Sequence, residues 1–144
     1  MKEDELNNLK LNDLPFKSQD KVRYCDTDRQ GHVNNANFAS FLETGRAELF
    51  YDEKKKLFSE DCSFVIANMN VDFIAEIKWP TVVDIGTGII KMGSSSIHLF
   101  QVLYQGNKLV ARASTVIVHV NNKTKKSQTL NDECRKALSQ YIIE

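Results

Sequence analysis

An α+β protein is predicted, in which an antiparallel sheet curls around one long helix and a shorter helix ends the chain. Three observations predict it. Between Asn35 and about Asp52 the apolar residues recur at helical spacing. Most of the chain from Ser63 to Val120 then reads as four strands, rich in Val, Ile and Thr and joined mostly by tight turns. A helix apolar over so much of its surface needs cover on most sides, and one curled sheet is the simplest layer that supplies it.

Length and composition bound the remaining possibilities. A chain of 144 residues, 42% hydrophobic and 26% charged, suits one globular domain. Nineteen basic residues cancel nineteen acidic ones, which argues against nucleic acid as the main partner. Cys25, Cys62 and Cys134 are odd in number and widely spaced, as expected of free thiols in a reducing compartment. No apolar run is long enough for a signal peptide or a membrane span, so a cytoplasmic location is expected.

Residues 1–17 are expected to form a polar N-terminal arm and residues 18–144 the domain. Lys21 to Thr27 alternates as a strand, with Val22, Tyr24 and Asp26 on one face and Arg23, Cys25 and Thr27 on the other. Gly31 breaks it, and Asn34 or Asn35 supplies a helix N-cap. In the long helix Phe38, Phe41, Leu42, Gly45 and Leu49 form the apolar stripe, which Ala36, Ala39, Ala47 and Phe50 widen. Gly45 lowers helix propensity by about 1 kcal/mol, which predicts a close approach by a strand. Glu43 and Arg46 are expected to form a partly buried ion pair, and Glu53-Lys54-Lys55-Lys56 marks the exit to solvent.

Ser63 to Ile77 is long for one strand and predicts a bulge, with Val65, Ala67, Met69, Val71 and Phe73 on a common side. Strands follow at Val82–Met92, Ile97–Tyr104 and Leu109–Val120, with bulges or close contacts expected at Gly86 and Gly88. A final helix is predicted from Asp132 to Ile142, capped by Asn131.

Chemistry is expected at the turn before the long helix, where Asp28, His32, Asn34 and Asn35 crowd together. A papain-like Cys25–His32–Asn34 reading is weak, because strand alternation turns Cys25 away from the Asp26 face. His32, His98 and His119 lack the spacing of a zinc site.

The string Tyr24-Cys25-Asp26-Thr27-Asp28-Arg29-Gln30-Gly31-His32-Val33-Asn34-Asn35, followed by Phe38, Phe41-Leu42-Glu43 and Gly45-Arg46, carries a family resemblance. It resembles the D-x-D-x-x-G-H-V-N-N and Y-x-x-[FY]-x-E-x-[AG]-R signature of hot-dog-fold acyl-CoA thioesterases of the 4-hydroxybenzoyl-CoA thioesterase type, with Phe38 in place of the tyrosine. That resemblance implies the hot-dog fold, a cofactor-free hydrolase, and a homodimer or homotetramer with sites between subunits. It implies a thioester substrate, carried by CoA or by an acyl carrier protein.

By the same resemblance Asp28 is the catalytic carboxylate, as nucleophile or as general base, and the backbone N–H of Asn35 holds the oxyanion. His32 braces the turn or transfers a proton, and Tyr24 donates a hydrogen bond toward the site. Asn34 and Glu43 are candidate substrate contacts, although capping and ion pairing explain them as well. Lys91, Ser94, Ser95, Ser96, Lys123, Lys125 and Lys126 are candidates for the CoA phosphates. Two other functions share this fold. A hot-dog hydratase or dehydratase would carry a signature such as D-x-N-P-x-H, which is absent here. A non-catalytic acyl-ligand-binding protein would share the fold without the chemistry.

Overall fold

The computed structural model describes residues 1–55 and 57–144; Lys56, one of the charged cluster expected after the long helix, lies outside the described residues. The helices are α1 (Glu3–Asn7), α2 (Asn35–Phe50) and α3 (Asp132–Ser139). Five strands, β1 (Phe16–Lys21), β2 (Cys62–Phe73), β3 (Val82–Met92), β4 (Ser96–Gln105) and β5 (Lys108–Asn121), pair antiparallel in the order β1-β3-β4-β5-β2. This is the predicted α+β arrangement, with α2 lying against the inner face of a curved sheet.

Alternation fixes which side chains meet α2. Ile85 and Ile89 of β3 and Leu99 and Leu103 of β4 are fully buried beneath it. Phe38, Phe41 and Leu42 fill the core at the start of the helix, and Leu49 and Phe50 fill a second cluster at its end. Gly45 faces the middle of the sheet, where a Cβ would lie 2.6 Å from Ile85 Cγ2. The expected close approach is therefore present. Gln101 reaches up beside it, donating through Nε2 to Leu42 O and Thr87 Oγ1, both at 3.0 Å.

The first strand differs from expectation. β1 opens at Phe16, while Tyr24–Asp26 forms a 3-10 turn instead of strand. Asp26 causes this: its carboxylate accepts from Arg23 N at 2.9 Å and from Arg23 Nη2 at 3.1 Å, closing a capped turn. The bulge in β2 is present, with the register slipping between Ile66 and Asn68. Its effect on facing was not expected. Phe64 and Ile66, opposite the buried His119 and Ile117, join Met69, Val71 and Phe73 on the inner face, and Val65 turns outward.

The outer face is covered locally by both ends of the chain. Leu6, Leu9, Leu11 and Leu14 pack near Phe100 and Val102, joined by Ile143. Gly86 and Gly88 make room, since Cβ atoms there would lie 3.0 Å from Leu14 and 2.5 Å from Ile143. α2 is less enclosed than its composition suggests. Ala36, Ala39, Ser40 and Glu43 remain exposed, because the sheet covers one side of the helix only.

Candidate active site

The cleft at the start of α2 is built by a short loop with closed hydrogen bonding. Asp28 N–H donates to His32 O at 2.7 Å and Gly31 N–H to Asp28 O at 3.0 Å, with Gly31 at φ +83°. That positive φ is cheap only for glycine. Thr27 then bridges Val33, and His32 bridges Lys78, so the loop is stitched to the segment that leaves β2. Asn34 caps α2 by accepting from Ala36 N at 2.9 Å.

This arrangement brings Asp28, His32 and Asn35 to one cleft of about 340 Å³, walled by Phe38, Phe73 and Ile74. Asp28 Oδ1 accepts from Gln30 N at 2.8 Å. Asn35 opens the helix, so its N–H has no intrahelical acceptor, and it takes none of the hydrogen bonds among the described residues. His32 Nε2 stands 3.3 Å from Glu76 Oε2. Glu76 was not singled out from the sequence. It follows the bulged strand, where simple alternation no longer tells which side chains share a face.

The other candidates lie elsewhere. Asp26 is buried within its own turn, and its backbone oxygen accepts from Asn34 N at 2.9 Å and Asn37 Nδ2 at 2.8 Å. Its charge holds the exposed Arg23 guanidinium above the usual range, chiefly through their hydrogen bond. Tyr24 is 73% exposed and packs edge-on against Trp79 outside the cleft. Cys25 is exposed on the same turn, and Asn34 is spent on the cap.

Glu43 is exposed on α2, about 12 Å of helical rise beyond Asn35. It does not pair with Arg46 as expected. Arg46 is buried and donates to Gln101 Oε1 at 3.2 Å instead, because the sheet offers an acceptor on the side to which the guanidinium turns. Burial lowers the Arg46 pKa, with the Glu43 charge acting against it.

Lys91 and Ser94, Ser95 and Ser96 lie at the β3–β4 hairpin, toward the far end of α2 within one chain. Ser94 O accepts from Leu130 N and Ser95 O from His119 N, which ties the hairpin to β5 and to the approach of α3. Lys91 pairs across the ladder with His98, whose pKa is lowered by burial and then by the Lys91 charge. Lys123 meets Asp61 at 3.2 Å on the surface loop after β5.

Fold and cleft together define a class. A sequence profile of the thioesterase-like superfamily matches residues 22–138, and the chain belongs to that superfamily, built on the hot-dog fold. Among its relatives, the Helicobacter pylori acyl-CoA thioesterase YbgC is 32% identical over 84 residues, which is 58% of this chain and 63% of that protein. The match thus spans less than two thirds of that relative's length. A predicted thioesterase of Bacillus stearothermophilus superposes with a TM-score of 0.79 at 29% identity, covering 88% of this chain and 96% of that one. A Thermus thermophilus thioesterase complexed with coenzyme A and Zn gives 0.75 at 26% identity, covering 87% and 92%.

Proposed function

We propose that the chain is an acyl-CoA thioesterase, converting a thioester and water to a carboxylic acid and CoA. One observation supports this most: Asp28 and the Asn35 N–H line a single cleft with an apolar wall. A thioester carbonyl seated there would place its oxygen at the helix N-terminus, where the free N–H and the dipole stabilise developing negative charge. Asp28 either attacks the carbonyl carbon, expelling the thiolate and leaving a mixed anhydride that water then hydrolyses to the free acid and the restored carboxylate, or takes a proton from a water that attacks the carbonyl directly and expels the thiolate. Phe38, Phe73 and Ile74 seat the first atoms of the acyl group, and His32, braced by Glu76, bounds the slot.

A thiol-release assay over acyl-CoAs of graded length and aryl type tests this reading. Asp28→Asn is expected to lower kcat by roughly 10²–10⁴-fold with unchanged circular dichroism. Wild-type inertness on every thioester, including acyl carrier protein thioesters, would instead favour acyl binding without chemistry. After turnover in ¹⁸O-water, label in the Asp28 carboxyl identifies a nucleophilic Asp28 whose anhydride is opened by water at the aspartyl carbon, because a general base takes no label.

The active assembly in this reading is at least a homodimer joined along β2. That edge strand and its continuation leave Val65, Ile66, Phe73 and Ile74 between 42% and 54% exposed. An apolar edge of this length is a pairing site unless covered. A two-fold axis across β2 would bring the hairpin bearing Lys91 and Ser94–Ser96 of one copy toward the Asp28 cleft of the other. Val65→Asp is expected to shift sedimentation toward monomer and to lower turnover with it; a monomeric wild type at assay concentration would sink the dimer.

A further inference from the structure

A second hollow of about 310 Å³ lies between α2 and β2, at the opposite end of the groove from Asp28. Its walls include Phe50, Phe64, Ile66 and Ile117, with Phe50 and Phe64 ring centroids 5.0 Å apart. Ile66 reaches this wall because of the β2 bulge. Arg46 also lines the hollow, although its residue is only 7% exposed.

The guanidinium is under-partnered. Arginine carries five N–H donors and stays charged at any ordinary pH. Among the described residues Arg46 makes one hydrogen bond, to Gln101 Oε1 at 3.2 Å. Gln101 is itself locked by its bonds to Leu42 O and Thr87 Oγ1, so the guanidinium is held in one orientation. Glu43 stands on the rim of the same hollow but outside ion-pair distance. The spare planar donors keep solvent contact where the residue meets the hollow, and an acceptor placed there would replace that water beside an aromatic wall. A carboxylate matches the guanidinium fork with two parallel bonds, and the walls match an apolar body behind it.

We propose that this hollow binds a carboxylate borne on an apolar body, with Arg46 as the anchor. Two sources share that chemistry. One is a free carboxylic acid, such as the product of the proposed hydrolysis. The other, which rests on the thioesterase reading, is the distal carboxylate of a dicarboxylyl thioester reaching from Asn35 to Arg46, about 16 Å of helical rise.

Calorimetric titration of the full chain with octanoate and with 1-octanol tests the site without requiring turnover, so its failure is distinct from failure of the hydrolase reading. Wild type is expected to bind octanoate at least tenfold more tightly than octanol. Arg46→Met is expected to abolish that preference, and Arg46→Lys to restore part of it. Ala47→Phe, which keeps the guanidinium but fills the hollow, is expected to weaken both ligands and serves if Arg46→Met does not fold. A lower KM for an α,ω-dicarboxylyl-CoA than for its monocarboxylyl counterpart assigns the site to substrate; equal KM values with octanoate still bound assign it to free acid. Indistinguishable octanoate and octanol, or octanoate affinity unchanged in Arg46→Met, overturns the proposal. So does an octanoate-blind wild type that turns monomeric in Arg46→Met, since Arg46 would then be completed by an acid of a second copy.

Discussion

Asp28, Asn34 and Cys134 show three different fates for a polar side chain. Asp28 sits partly open, with one carboxylate oxygen holding Gln30 N–H and the carboxylate lining the cleft. That placement makes an acid available for chemistry. Asn34 caps α2 through its side-chain oxygen, and Asn34→Ala is expected to lower stability by about 1 kcal/mol through the lost cap, read as a drop in urea midpoint at constant m. Cys134 is sealed: its Sγ–H donates to Leu57 O at 2.6 Å, and burial pushes its pKa up to about 11. A folded thiol that titrates above its unfolded value keeps a proton the unfolded chain has lost. Stability is therefore complete below about pH 9 and falls as pH rises toward 11, the value raised by burial. Denaturant melts across pH 8–10.5 check the slope, and the slope should vanish in Cys134→Ala.

The elements divide by how much each depends on distant contacts. α2, α3 and the strands β3, β4 and β5 follow from period, caps and turn residues, and so were legible in the sequence within a few residues. Asn131 caps α3 as expected, its side chain accepting from Cys134 N. The segment 21–27 was not legible as it stands. Its alternation reads as strand, but the Asp26 carboxylate takes the Arg23 backbone N–H and folds it into a turn. The β2 bulge was legible, but its exact place was not, and one residue of slip decided that Ile66 and not Val65 faces inward. In the site, Asp28, His32 and Asn35 are close in sequence and so could be grouped before any fold was known. Glu76 and Arg46 acquire their surroundings from contacts that no local pattern encodes. Gly45 is the element-scale test. Gly45→Val would drive two methyl groups into Ile85 and Gln101 and is expected to cost about 1–3 kcal/mol or more, measured by chemical denaturation.

At the scale of the whole molecule, the sheet has two differently used faces. The inner face carries α2, and the groove beside it holds both the Asp28 cleft and the Arg46 hollow. On the outer face Leu6, Leu9, Leu11 and Leu14 form a local cover over Phe100 and Val102, joined by Ile143. Removing residues 1–13 is expected to expose Phe100 and Val102, raise dye binding to apolar surface and lower the melting temperature, while Asp28-dependent hydrolysis survives at low temperature. Loss of hydrolysis in a folded truncation would make the arm part of the site.

Gly88 lies where the two ends of the chain meet on that outer face. A Cβ there would lie 2.5 Å from Ile143 and 2.9 Å from Pro15, so one missing side chain clasps the entering and leaving segments together. Protease sensitivity should therefore be coupled at two sites far apart in sequence. Gly88→Val should open cleavage near residue 15 and near residue 143 at the same protease dose, and neither one ahead of the other.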